Sequence, residues 1–115
     1  EDGAAVEALR AAGFDGMVVE ATGGGHVAPA VAAVLEQAAR QMPVLLASRA
    51  GAGETLANTY GFPGGEIDLQ RRGLVRAGWL DGVKARVLLQ LLLLHGLRER
   101  HEISEAFAPW GGGPV

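Results

Sequence analysis

The sequence has 115 residues, of which 49% are hydrophobic and 20% are charged. This length and composition allow one buried core and exclude the high charge of disordered chains, so we expect a single globular domain over residues 1–115. The formal net charge is −3 and the arginines are scattered along the chain. Binding to nucleic acid is therefore not expected, because phosphate contacts require a basic surface.

The absence of cysteine excludes disulfides, thiolate nucleophiles and zinc-thiolate sites. The three histidines, His26, His95 and His101, lack the spacing of paired ligands, so no metal is expected. The most apolar stretch, Val87–Leu97, is much shorter than the roughly 20 residues of a membrane span and predicts a buried helix, not a membrane anchor. No signal peptide opens the chain, but Glu1 is not a native start, so this leaves the compartment of the parent protein open, and the cytoplasm is an expectation only.

The first two elements are a helix and a strand. Asp2 is the predicted N-cap of a helix over Ala4–Ala12, which Gly13 ends in the left-handed conformation. The apolar run Met17–Val19, which leads to the glycines at 23–25, predicts a buried parallel strand.

A second helix and strand complete a strand-helix-strand unit. Apolar residues recur with helical spacing over Val27–Ala38, and Pro29 is tolerated in the first turn of a helix. Val44–Ala47 predicts the second strand, which ends at Ser48 and Arg49. The two strands should be parallel, with the glycine loop at the carboxyl edge of the sheet, where ligands bind in open sheets.

The next region is a long loop followed by short elements. Gly51–Gly65 exceeds the usual length of a connection, which indicates a functional or mobile segment. A short helix over Glu66–Arg72, a stop at Gly73 and a strand at Leu74–Val75 should follow.

The last third of the chain predicts two helices. Asp81 should cap a long helix over Gly82–His95, packed between the sheet and either the final helix or a partner subunit. The final helix is expected over Glu102–Ala108, and the tail Trp110–Val115 is expected to fray. Together the elements predict an α/β fold, a three-layer Rossmann-like domain with a short parallel sheet.

The segment Gly23–Ala28 matches the pattern G-x-G-x-x-A between a strand and a helix, which is typical of dinucleotide binding. However, Ser48 and Arg49 stand where an acidic ribose partner is expected, although an arginine would suit a 2′-phosphate. A short glycine loop is also common for purely steric reasons, so the pattern alone leaves both interpretations open.

Two residues near the predicted carboxyl edge are candidate binding groups. His26 is either a ligand-contacting group or a solvent-facing loop residue, and the helix dipole alone explains Glu66. Tyr60, Asp68 and Arg49 have structural explanations as a packed aromatic, a turn cap and an ion pair. No hydroxyl has an evident base and orienting acid, so no self-contained catalytic triad is predicted.

Five segments, taken together and in order, resemble the C-terminal domain of the bacterial-type L-asparaginases. These are Gly16–Val27, Val44–Arg49, Thr59–Phe62, Gly73–Gly78 and Lys84–Leu89. The resemblance implies a two-domain enzyme that hydrolyses L-asparagine to L-aspartate and ammonia without a cofactor. It also implies that the catalytic N-terminal domain, which holds the threonine nucleophile, is not part of these 115 residues. No residue of this chain is then catalytic, and the chain alone should be inactive.

The same resemblance implies two substrate-binding residues. His26 corresponds to the loop asparagine or histidine that reaches the pocket of a neighbouring subunit, in a homodimer or homotetramer of the full-length protein. Glu66 corresponds to the glutamate near the ammonium group of the substrate. Gly24 and His26 stand where many members carry asparagines, so the resemblance does not imply the hydrogen bonds of those amides or the substrate preference that depends on them. The alternatives are a glutaminase, a tRNA-dependent amidotransferase subunit and a nucleotide-binding Rossmann-like module.

Overall fold

The computed structural model describes residues 3–21, 27–48 and 66–113. Its helices and strands follow the order that the apolar patterns predict, with bounds that differ by one or two residues. The elements are α1 (Ala4–Ala11), β1 (Met17–Ala21), α2 (Pro29–Ala39), β2 (Val44–Ser48), α3 (Glu66–Arg71), β3 (Val75–Arg76), α4 (Gly82–Leu94), α5 (Arg100–Phe107) and a 3-10 turn (Ala108–Trp110).

The three strands form one parallel sheet in the order β1-β2-β3. Met17 pairs with Val44 at one end of the β1–β2 ladder and Ala21 pairs with Ser48 at the other. The predicted parallel strand-helix-strand unit is confirmed. The predicted α/β class with a short parallel sheet is confirmed as well.

The sheet carries helices on both faces, because successive residues of β2 point in opposite directions. The first face holds α1, α2 and α3, and the second face holds α4 and α5. The buried core of the first face includes Val31, Leu35, Val44, Leu46, Leu69 and Leu74. The buried core of the second face includes Leu45, Ala47, Val75, Leu89, Ile103 and Phe107. The result is a three-layer arrangement around a central strand whose residues 44–47 are fully buried.

The predicted starts of three helices have different outcomes. Asp81 caps α4 as predicted, since its Oδ1 accepts a hydrogen bond from the Lys84 amide at 2.9 Å. In α1 the N-cap position is Gly3, with φ 83°, so the prediction of Asp2 was wrong. The predicted start of α5 at Glu102 was also wrong, because Glu102 lies inside the first turn and accepts a hydrogen bond from the Glu99 amide at 3.2 Å.

The chain after α5 is packed against the sheet up to residue 113. The Gly113 amide donates to the Arg76 carbonyl at 2.9 Å, and the Gly112 amide donates to the Phe107 carbonyl at 3.1 Å. Both glycines are buried, and a Cβ atom on Gly112 would overlap the Arg76 carbonyl oxygen. The prediction of a frayed tail was therefore wrong for residues 110–113, where the missing side chains permit close approach of two backbones.

Helix α4 is buried on one side only. Ala85 and Leu89 pack into the core of the second face, as predicted for a helix that lies on the sheet. The outer side is exposed at Val83, Val87, Leu91 and Leu94, so the prediction of a buried helix was wrong there. Within the described ranges, no helix combines the length and the apolar character of a membrane span.

Candidate functional site

The carboxyl edge of the sheet is formed by the ends of β1 and β2. Ala21 and Ser48, the last residues of these strands, are partners in the parallel ladder. The segments that follow them therefore leave the sheet at neighbouring positions. The predicted site residue His26, together with Arg49 and Gly51–Gly65, lies outside the described residues.

Helix α2 begins directly after the first of these segments. Ala28 is its N-cap, with an extended backbone, and its carbonyl accepts hydrogen bonds from Val31 at 2.9 Å and Ala32 at 3.1 Å. Pro29 occupies the first turn as predicted, where its missing amide costs no intrahelical hydrogen bond. A helix that connects two parallel strands runs antiparallel to them, so the amino end of α2 is directed towards the carboxyl edge.

Helix α3 begins at Glu66, whose side chain lies outside the described residues. The helix is anchored by fully buried Leu69 and by Arg72. The Arg72 side chain donates to Asp68 Oδ2 at 2.8 Å and to Glu36 Oε1 of α2 at 3.0 Å. Asp68, predicted as a turn cap, thus takes part in an ion pair. The network holds the backbone that carries Glu66 in a defined position relative to α2.

Glu20 is a charged residue near this edge that the sequence analysis did not identify. Its carboxylate lies so close to Gly82, at the start of α4, that a Cβ atom there would overlap it. A negative charge is favourable at the amino end of a helix, where the peptide dipoles leave partial positive charge. The contact joins the carboxyl end of β1 to α4 on the second face. The sequence feature that could have identified Glu20 is an acidic residue among the apolar residues of a predicted strand.

Arg76 is the second charged residue that the sequence analysis missed. It is 93% buried, with 7% of its surface exposed, and its Nη1 atom donates to the Gly111 carbonyl at 3.2 Å. Burying a guanidinium requires compensating hydrogen bonds, so this contact helps to hold the tail against β3. The sequence feature that could have identified Arg76 is a single arginine next to the apolar residues of a predicted strand.

The described residues at the carboxyl edge offer mainly backbone groups and small apolar side chains, among them Ala21, Ala28 and Ala47. Over the three described ranges, no three histidine, aspartate or glutamate residues cluster in a way that could hold a metal ion. The chemistry of this edge therefore depends on the segments that the two strands lead into. The described part of the fold attaches both segments to the same edge of the sheet.

The family model of the glutaminase/asparaginase C-terminal domain matches residues 1–107. A probable L-asparaginase of Deinococcus radiodurans is 39% identical over 93 residues, which are 81% of this chain and 28% of that protein. An L-asparaginase of Bacillus licheniformis is 34% identical over 93 residues, 80% of this chain and 29% of that protein. A probable periplasmic L-asparaginase of Haemophilus influenzae is 39% identical over 89 residues, 76% of this chain and 24% of that protein.

Proposed function

Since the chain belongs to the glutaminase/asparaginase C-terminal domain family, we propose that it is the smaller domain of an enzyme that hydrolyses L-asparagine to L-aspartate and ammonia. The observation that carries this proposal is the family match over residues 1–107, together with relatives that are named L-asparaginases. The chain spans less than a third of the length of these relatives. The nucleophile is proposed to lie in the remaining part of the full-length protein, so that this chain alone is inactive.

We further propose that His26 and Glu66 protrude from one rim and complete the pocket of a neighbouring subunit in a homodimer or homotetramer. The topology supports this arrangement. The segment that contains His26 joins β1 to α2, and Glu66 opens α3, which Arg72 ties to α2. Helices α2 and α3 share the first face and both lead into the next parallel strand, so their amino ends are directed towards the same edge.

The proposed roles are to bind and orient the substrate. A carboxylate at Glu66 would accept charge-assisted hydrogen bonds from the α-ammonium group of asparagine. The imidazole of His26 would orient the substrate or support that carboxylate. Neither group attacks the amide in this proposal, and no metal or organic cofactor takes part.

The test uses the full-length protein with Glu66→Gln, which removes the charge but keeps the shape. A lost charge-assisted hydrogen bond corresponds to about 1.5–3 kcal/mol, so we expect kcat/KM for asparagine to fall about 10- to 100-fold. Glu105→Gln, at an exposed position of α5, is the matched control and should leave the kinetics unchanged. The oligomeric mass should be that of the wild type in both variants.

His26→Ala is tested in the same assay, with exposed His101→Ala as its control. Wild-type kinetics for both Glu66→Gln and His26→Ala would reject the proposed site.

Activity with asparagine, glutamine and aminoacyl-tRNA, measured side by side, separates an asparaginase from a glutaminase or an amidotransferase subunit. Micromolar binding of NADP or ATP to the chain would favour the nucleotide-binding alternative.

The cytoplasmic location stays a prediction, since the Haemophilus influenzae relative is named periplasmic. Fractionation of cells that express the full-length protein from its own gene would decide between the two compartments.

A further inference from the structure

A cavity of about 220 Å³ lies at the amino edge of the sheet, the edge at which the parallel strands begin. Its lining residues come from the end of α2 and from the segments just before β2, β3 and α5, and they include Pro43 and Gly73. Pockets for drug-sized ligands usually measure about 300–1,000 Å³, so this cavity suits a smaller ligand. It is on the opposite edge of the sheet from the candidate site.

The charged residues that line the cavity are three arginines and one glutamate, Arg40, Arg98, Arg100 and Glu99. They give the lining a formal charge of +2, in a chain whose net charge is −3. Arg40 ends α2, Arg98 follows α4 and Arg100 begins α5, so three separate parts of the chain bring positive charge to one place. A concave surface lined by one sign of charge attracts ligands of the opposite sign.

The ion pairs of two of these arginines are long. Arg40 Nη2 lies 3.4 Å from Glu36 Oε2, and Arg98 Nη1 lies 3.3 Å from Asp15 Oδ1, whereas strong charge-assisted hydrogen bonds measure about 2.7–2.9 Å. Glu36 also binds Arg72 at 3.0 Å, so its single charge is shared by two arginines. Each of these contacts uses one nitrogen of a guanidinium group that carries several N–H donors. Arg40 and Arg98 can therefore bind a further acceptor without losing the present one.

The ends of helices explain part of this arrangement. Arg100 Nη2 donates to the Gln70 carbonyl in the last turns of α3 at 3.3 Å, and Arg40 is the C-cap residue of α2. A positive charge is favourable at the carboxyl end of a helix. This explanation does not extend to Arg98, which pairs with Asp15 in the segment before β1 and lines the same cavity.

We infer that the cavity binds a small oxyanion with two negative charges, either a phosphate group or a dicarboxylate. The planar N–H groups of a guanidinium match the spacing of two oxygens in both kinds of anion, and two negative charges would balance the charge of the lining. Because the cavity and the candidate site lie at opposite edges of the sheet, this inference is independent of the proposed asparaginase activity.

Calorimetric titration of the full-length protein at constant pH and ionic strength tests the site, with inorganic phosphate and succinate as probes. At least one probe should bind with a Kd of about 1 mM or lower, and the tighter one identifies the chemistry of the oxyanion. Arg40→Gln and Arg98→Gln should each weaken this binding about tenfold or more, since each removes a charge-assisted hydrogen bond. Arg86→Gln, at an exposed position of α4 outside the cavity, is the matched control and should bind like the wild type. Binding of neither probe, or equal affinity in all four proteins, would overturn the inference.

Urea denaturation of the same four proteins separates a binding site from a purely structural role. A ligand that binds only the folded state raises its stability, so the tighter probe should raise the urea midpoint of the wild type and of Arg86→Gln. The rise should be smaller in Arg40→Gln and Arg98→Gln. Arginines that only stabilise the fold would lower the midpoint in the absence of the probe and leave the rise unchanged, and that result would overturn the inference.

Discussion

The two faces of the sheet differ in how completely this chain covers its own apolar surface. On the first face, α2 buries Val31, Ala32, Leu35 and Ala38, and its exposed residues include no large apolar side chain. On the second face, α4 buries Gly82, Ala85 and Leu89 but leaves four large apolar residues exposed. Both helices pack on the same central strand. The sheet and α1 together therefore cover the apolar residues of α2, whereas the described residues leave the outer apolar side chains of α4 uncovered.

A helix that is apolar on most sides is normally covered on most sides. A pocket of about 720 Å³ lies between α4, the turn after α1 and the start of β1, and Val87, Leu91 and Leu94 line it. Val83, which does not line this pocket, is the second most exposed of the four, at 71%. The contrast between the faces can be tested by matched substitutions.

The largest effect is expected from truncating the same side chain on the two helices. Leu35→Ala removes a fully buried leucine of α2 and should lower the free energy of unfolding by about 2–5 kcal/mol. Leu91→Ala on α4, where the residue is 50% exposed, should cost less than about 1 kcal/mol in the 115-residue chain. Urea denaturation measures both. Equal losses of unfolding free energy would show that the isolated chain covers the apolar residues of the two faces equally well.

A smaller effect is expected at the amino ends of the same helices. Asp81 caps α4 through the Lys84 amide, so Asp81→Ala should destabilise the chain by about 1 kcal/mol. Ala28 provides no side-chain cap to α2, and Ala28→Ser should stabilise the chain by up to about 1 kcal/mol. The midpoints of urea denaturation should move in opposite directions. A shift of the same sign in both variants would contradict the assignment of the caps.

The smallest effect concerns α1, which contributes Leu9 to the same pocket. A hydrogen bond from Arg10 holds the pKa of the Glu7 carboxyl below its ordinary value, and the charge of Arg10 acts in the same direction. Because the pKa is lowered in the folded state, the stabilisation is present above the unfolded pKa and is lost as the pH falls through the folded pKa. An NMR titration should find the Glu7 pKa restored by Arg10→Gln. A Glu7 pKa that does not move in this variant would exclude the Arg10 contact as its cause.

Much of the fold could be predicted because local signals were strong. Periodic apolar residues and the adjacent prolines and glycines located β1, α2 and β2 to within two residues. Parallel pairing followed from the short helical connection. The start of α5 was missed because its N-cap is Glu99 and its first turn begins with polar residues, which apolar spacing does not locate.

Near the candidate site, the strand ends and helix starts could be predicted from the sequence, but the contacts between distant residues could not. Strand ends and helix starts are encoded locally, so the attachment of the loop that contains His26 and the start of α3 at Glu66 follow from pattern. The closeness of Glu20 to Gly82 joins residues far apart in the chain, and no periodicity reports it. The roles of His26 and Glu66 stay predictions that rest on the family resemblance.

The sequence by itself determined the order of the elements, the parallel arrangement of the strands and the family. Each of these depends on local patterns or on motifs that follow one another in a fixed order. Only the tertiary structure decided that the glycine-rich tail packs on β3, that Arg76 is buried and that the outer side of α4 stays exposed. These features depend on distances between residues remote in sequence. Composition indicates how apolar a segment is, whereas burial depends on which segments the fold brings against it.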